Sequence, residues 1–365
     1  MEDSKENQWS KIKNKAKDLQ LLLPKLKDAN IVLFGAGMNG SLVYQRMKQE
    51  YKICAFSDNN MNFWGKSYEG LSVIEPNQLK EIINVFAIIT VTGQYYLSIK
   101  KQLSEIKVPH MTYIEYQLAS QFQQFETVYQ ELLEDEFSKE TYRSLLISYL
   151  TNDIGYLRKV FVRHQYFEIP EFSIQTEDEI FVDCGAYTGD TLEYFITIKA
   201  GCLKRVYSFE PTEKTYQALC IRKERLLKEW ALEEDQIITE KKIVTAKSGV
   251  EYFLKKGKRE QSNQIGIKSL HGSVPVEAIS LDEYFAEKEE KPTFIKADIE
   301  GAEFEMLKGA EGIIRASKPL LAICIYHKIE DLYEIPMLLK QFRPDYKMSI
   351  RQHMPNYYET VLYCY

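Results

Sequence analysis

Apolar and polar positions change rhythm several times along the chain. Between residues 9 and 26, Trp9, Ile12, Ala16, Leu19, Leu23 and Leu26 recur at three- and four-residue spacing with lysines among them. That spacing predicts an amphipathic helix, whose apolar stripe packs on a neighbouring domain or receives a partner. From 30 to 116 short apolar runs alternate with helical patterns. "NIVLFG", "KICAFSD" and "VFAIITV" read as buried strands and "MTYIEY" as a last strand. Residues 40–50, "PNQLKEII" and about 94–106 read as helices, so a small parallel sheet is expected.

From 117 to 168 the period is helical through "FETVYQELL", "KETYRSLLISYL" and "IGYLRKVFVRHQY", and Ser138 of "FSKE" is expected to cap a helix start. Beyond 177 the alternation returns. "EIFVDCG", "RVYSFEP", "KKIVTA", "TFIKADIEG" and "LLAICIYHK" read as strands, with a polar, hairpin-like insert at about 249–275 between the third and fourth. "YKMSIRQH" and "YETVLYCY" then follow with no helix between them, which predicts an antiparallel hairpin closing a parallel sheet. The expected organisation is an N-terminal helix (1–27), a small Rossmann-type domain (28–116), a helical bridge or lid (117–176) and a larger domain (177–365). The fold class is α/β, with two doubly wound Rossmann-like domains.

A length of 365 residues agrees with more than one core. A net charge of −6 gives the surface as a whole no attraction for nucleic acid or an anionic membrane. The basic run "KKGKRE" at 255–260 reads as a solvated hairpin tip or a phosphate contact. Six cysteines without a C-x-x-C pair, several in apolar strand-like runs, suit a reducing compartment. The polar first twenty residues do not resemble a signal peptide, and no apolar run approaches membrane-spanning length, so a cytoplasmic protein is expected.

Two glycine turns carry the candidate chemistry. "GAGMNG" follows a strand and opens a helix, with Asp58 placed 23 residues after Gly35. Gly35 permits the tight turn, Gly37 lets backbone approach a phosphate, and Gly40 lets the helix pack on the strand, while Asp58 would meet ribose hydroxyls. The domain is short for a dehydrogenase. A nucleotide or nucleotide-sugar site and a turn without a ligand both remain open, and so does an NAD(P)-dependent oxidoreductase. The second turn, "FVDCGAYTGDT" at 181–191, is bracketed by Asp183 and Asp190, which repel a diphosphate and suit a ligand bearing ammonium and sulfonium charges. S-adenosylmethionine carries both. Glu210, in "SFEP", is placed to accept ribose hydroxyls.

Together with "VYSFEP", "ISLDEY", "FIKADIEGAEFEMLKGAEGII", "IYHKIEDLYEIP" and "SIRQH…ETVLY", that turn resembles the FkbM family of S-adenosylmethionine-dependent methyltransferases over about 177–365. The resemblance implies a seven-stranded class I methyltransferase fold, S-adenosylmethionine as donor, and an oxygen acceptor on a sugar, nucleotide-linked sugar, natural product or other small metabolite. It implies donor contacts from Asp183, Gly185, Ala186, Tyr187, Thr188, Gly189, Asp190, Thr191 and Glu210, with Ala246, Lys247 and Ser248 beside the adenine. Two departures stand out: Tyr187 where family members often have Asn, and Ala297 where a larger residue is common. Methyl transfer to a hydroxyl needs an aligned oxygen and a proton acceptor. His327 is expected as general base, with Asp298 or Glu300 as orienting partner or alternative base, because strand geometry places all three at the sheet's carboxyl edge. Glu303 is expected to cap the following helix and Lys296 to pair with an acid. His271 reads as an acceptor contact or a surface residue. Two carboxylates and a histidine could hold a divalent ion, but their spacing alone assigns no metal. A non-catalytic nucleotide-sugar-binding protein is the remaining alternative.

Overall fold

Within the strand Asn30–Phe34, Ile31 and Leu33 face one way and Val32 and Phe34 the other, and each pair enters a separate apolar cluster. A strand buried on both faces suits the middle of a parallel sheet. The computed structural model, which describes residues 5–93, 95–249, 252–255, 264–266 and 273–365, places it there. The six-stranded sheet runs Ser67–Tyr68, Leu71–Ile74, Ile53–Ser57, Asn30–Phe34, Val85–Ile89, His110–Thr112. Its pairs are parallel apart from the first, which is antiparallel. The strand expected at "MTYIEY" stops at Thr112. There the Thr112 hydroxyl accepts the Glu115 N–H (3.1 Å) and the Glu115 carboxylate accepts the Thr112 N–H (2.8 Å), a reciprocal cap that starts the helix Tyr113–Ser120.

The chain forms two compact units, Met1–Thr127 with Tyr142–Lys159, and Val128–Thr141 with Val160–Tyr365. The helical stretch therefore contributes residues to both. In the first unit the helix Lys5–Gln20 buries Trp9, Ile12, Ala16 and Leu19, and Trp9 stacks on Phe122 at 6.0 Å. "IGYLRKVFVRHQY" is helical only over Gly155–Lys159. Ser138 is not the cap of the helix Glu136–Thr151. Asp135 is, accepting the Ser138 N–H at 2.7 Å, while the Ser138 hydroxyl accepts the Ile350 N–H at 2.9 Å.

In the second unit a seven-stranded sheet runs Met348–Gln352, Thr360–Cys364, Leu320–Cys324, Phe294–Ala297, Ile180–Cys184, Arg205–Phe209, Ile237–Glu240. Thr360–Cys364 is antiparallel to both neighbours, as the terminal hairpin predicts, and the remaining pairs are parallel. The strand expected at "KKIVTA" is displaced. The sheet takes Ile237–Glu240 instead, and Ile243–Val244 pairs apart from it with Ala278–Ile279. Lys241 and Lys242 end the buried run, and Lys242 pairs with Glu240 and Glu277 in the part-exposed gap. The polar insert is a three-stranded antiparallel sheet where described; His271 and most of "KKGKRE" lie outside the described residues. Ile180–Cys184 sits where strand order reverses, which opens a crevice at the carboxyl ends. Beneath it Phe181 stacks on Phe195 at 4.4 Å and meets Phe294 at 4.7 Å. Among the described residues no helix is long and apolar enough to cross a membrane.

Candidate functional site

The second glycine turn leaves the strand Ile180–Cys184 through Gly185 (φ 82°), Tyr187 (φ 50°) and Gly189 (φ 82°), all in the left-handed region. Gly185 is demanded twice, because a Cβ there would lie 1.9 Å from the Asp298 carbonyl oxygen. Tyr187 occupies a conformation that Asn tolerates and a bulky residue resists. Gly189 leads into the helix Asp190–Ile198; Ala186 is buried, Thr188 and Thr191 are half-buried, and Tyr187 and Asp190 are exposed.

Asp183 is completely buried, and its carboxylate lies 2.9 Å from Lys296 Nζ. Lys296 also donates to the Gly185 carbonyl at 2.8 Å. Burial alone would strip the proton from Lys296; Asp183 and Asp298 beside it hold the proton on. Asp183 is thus a neutralised strut under the turn rather than a free anion lining it. Glu210 is also buried. One oxygen accepts the Tyr187 N–H (3.0 Å), and the other accepts the Thr212 N–H (2.8 Å) and the Thr215 hydroxyl (2.7 Å). Burial raises its pKa against the pull of these donors. Ala246, Lys247 and Ser248 follow the displaced pair Ile243–Val244. They are anchored elsewhere: Ser248 Oγ accepts the Ser280 N–H at 3.0 Å, and a Cβ on Gly309 would meet the Thr245 carbonyl at 2.2 Å.

Asp298, Glu300 and His327 do converge at the carboxyl edge of the sheet, but not through extended geometry. The strand ends at Ala297, and Glu300 (φ 56°) and Gly301 (φ 91°) turn the chain. His327 Nε2 lies 3.6 Å from Asp298 Oδ1 and 3.6 Å from Glu300 Oε2. Its Nδ1 lies 3.1 Å from Glu303 Oε1. Glu303 is fully buried and also accepts the Ile299 N–H at 2.8 Å; it ties down the turn ahead of the helix Glu303–Lys308, whose start has no side-chain cap, and stands behind the imidazole. Burial alone would lower the His327 pKa; Glu303, Asp298 and Glu300 outweigh it and raise it to about 9. Burial lifts Glu300 to about 7, with the other carboxylates adding to it and His327 opposing.

Four neighbours were not read from the sequence. The hydroxyls of Tyr166 and Tyr326 donate to the two oxygens of Asp298 at 3.2 and 3.1 Å. Glu359 faces Tyr326 at 3.5 Å, and Tyr358 meets the Tyr326 ring edge-on at 6.0 Å. Glu359 had a signal: an antiparallel last strand begins where the parallel strands end, so the residue before Thr360 must reach the crevice. Tyr166, far away in sequence, had none.

The first turn closes on itself. Asp58 accepts the Ala36 N–H and the Asn60 N–H, both at 2.8 Å. Gly40 is essential to it, since a Cβ there would meet the Gly35 carbonyl at 2.0 Å; around Gly37 nothing lies within 4 Å.

Residues 183–348 match the family model described as Methyltransferase FkbM domain. This segment is similar to an FkbM methyltransferase domain. Residues 27–114 match a second model, described as C2185-like, N-terminal. A crystal structure of Methyltransferase FkbM from Methylobacillus flagellatus KT shares the fold, with TM-score 0.61 and 21% identity over 99% of this chain and 100% of that one. A SAM-dependent methyltransferase from Aquifex aeolicus matches 58% of this chain and 97% of its own (14% identity, TM-score 0.32). An rRNA methylase from Streptococcus thermophilus matches 59% and 93% (16% identity, TM-score 0.31). No curated protein matches.

Proposed function

We propose that the chain is an S-adenosylmethionine-dependent methyltransferase that modifies a hydroxyl of a sugar or another small molecule. The observation that carries this reading is the packing of Gly185 on the Asp298 carbonyl. It joins the glycine turn and the Asp298–Glu300–His327 group along one edge of the FkbM-like domain. The residues fit a cationic donor. Lys296, the buried positive charge beside the turn, is spent on Asp183 and the Gly185 carbonyl, which leaves exposed Asp190 and the edge carboxylates to set an anionic surface. Such a surface attracts a sulfonium and an ammonium and repels a diphosphate.

The turn from Gly185 to Thr191 and the carboxylate of Glu210 would hold the donor, with Ala246 to Ser248 at its outer side. When bound, S-adenosylmethionine supplies an electrophilic methyl group. The chain's own residues do the rest. Asp298, fixed by two tyrosine hydroxyls, orients the acceptor hydroxyl. His327 keeps its proton at neutral pH and steadies negative charge, so the proton acceptor in this proposal is half-exposed Glu300 rather than His327. The rings of Tyr326 and Tyr358 offer the acceptor an apolar platform, as a sugar face requires.

Calorimetric titration of the purified chain with S-adenosylmethionine is expected to show saturable binding that Glu210→Ala weakens. No heat from the donor, together with binding of a nucleoside diphosphate at the second turn, would overturn the reading.

A further inference from the structure

The edge described above contains a feature that hydrogen bonding leaves unexplained. The His327 side chain is nine-tenths buried, yet its Nε2 has no hydrogen-bond partner. It points between Asp298 Oδ1 and Glu300 Oε2, each 3.6 Å away, too far for a hydrogen bond to either. Two ligand atoms bound to one divalent ion at about 2.0–2.2 Å stand roughly 3 Å or slightly more apart. A separation of 3.6 Å is therefore close to the spacing a cation between them would set. Behind the ring, buried Glu303 faces Nδ1 at 3.1 Å. Among the described residues Nδ1 makes no hydrogen bond either, but a carboxylate on that side of the ring is the kind of neighbour that orients a metal-binding imidazole, with Nε2 turned to the ion. Asp298 is held in the same manner by Tyr166 and Tyr326. Asp298, His327 and Glu303, rather than Glu300, are the group whose ligating atoms all lie within 4.8 Å of one another; Glu300 joins through its own 3.6 Å approach to Nε2.

We infer that His327 Nε2, Asp298 and Glu300 form a binding site for a divalent cation of the Mg²⁺ or Mn²⁺ class, with Glu303, Tyr166 and Tyr326 as its supporting shell. One nitrogen and two carboxylate oxygens on separate segments leave part of an octahedral sphere open to the crevice. The inference rests on the reading of this edge as the acceptor site and adds an anchor for the acceptor's oxygens. In the cation-loaded form Glu300 is a ligand and His327 has released its Nε2 proton to solvent; Glu300 as proton acceptor and His327 as a protonated ring belong to the metal-free chain.

The test uses Mn²⁺ alone with the full chain. Calorimetry is expected to show a saturable site, and pulsed electron paramagnetic resonance a nitrogen coupling from the imidazole. Glu300→Gln, at a half-exposed position, is expected to weaken Mn²⁺ at least tenfold without altering the fold by circular dichroism. Asp298→Asn is expected to do the same or more. Absence of saturable Mn²⁺ binding, binding without nitrogen coupling, or unchanged affinity in Glu300→Gln would each overturn the inference. S-adenosylmethionine is titrated separately without metal. Its binding in a chain that ignores Mn²⁺ would sink the cation site and leave the proposed function standing; Mn²⁺ binding without donor binding would do the reverse.

Discussion

The two glycine turns are built alike and stand in different surroundings. In each, a strand bends through a left-handed glycine into a helix, and an acid at or just past the end of the next strand takes a backbone N–H of the turn: Asp58 takes that of Ala36, and Glu210 that of Tyr187. The difference lies in what stands beside them. Gly35 of the first turn packs against Thr90 and Val91, neutral side chains. Gly185 packs on Asp298, the start of a set of carboxylates and a histidine. Among the described residues both clusters of closely placed ligating side chains occur there. Glycine spacing therefore reports the bend, while the chemistry comes from the neighbouring strand ends.

That comparison breaks most visibly at the glycines. Gly185→Ala forces a Cβ against the Asp298 carbonyl in a left-handed conformation and is expected to cost about 3 kcal/mol or more, or to prevent folding. Gly37→Ala, with open space around it, is expected to change stability by less than about 1 kcal/mol. Chemical denaturation of the two variants measures the contrast; similar losses would show that the turns are equally constrained.

Removing the acids separates holding from binding. Glu210→Ala frees Tyr187, Thr212 and Thr215 together and is expected to cut S-adenosylmethionine affinity by about 10- to 100-fold, as the loss of one or two buried hydrogen bonds does. Asp58→Ala is expected to leave that affinity unchanged. Calorimetry on both variants decides.

Acid sharpens the picture of the C-terminal unit. His353 is buried, with Nε2 2.7 Å from the Tyr363 hydroxyl and Nδ1 3.2 Å from the Val162 carbonyl, and burial lowers its pKa from 6.5 to about 4. The folded state favours the neutral ring, so its contribution is present above pH 6.5 and is lost as the pH falls toward 4. At pH 5 the expected loss is about 2 kcal/mol. Thermal melts of the wild type and His353→Gln between pH 7 and 5 should diverge in slope; parallel curves would count against this account.

The smallest effect belongs to Tyr187. Replacing it with Asn or Gly relieves a φ of 50° and is expected to stabilise the chain by about 0.5–1 kcal/mol, read as a shift in denaturation midpoint. No gain would mean that the exposed ring makes compensating contacts.

Much of the fold was legible because it depends on local rules. Buried apolar runs, glycines after strands and a helix-free final pair of strands specify two parallel sheets, one ending in a hairpin, whatever the rest of the chain does. Short-range reading failed where a partner distant in the chain or a competing cap intervened. Thr112 and Glu115 turned a strand into a helix, Asp135 displaced Ser138 as a cap, and a lysine pair moved the outer strand to Ile237–Glu240. The sequence by itself placed Asp183, Asp298, Glu300 and His327 at or just past the ends of strands. Only the tertiary structure decided their states, because charge depends on distance and on burial. Lys296 neutralises Asp183, and Glu303 stands behind the imidazole. Tyr166 and Glu359, 132 residues before and 61 after Asp298 in the sequence of 365, complete its surroundings.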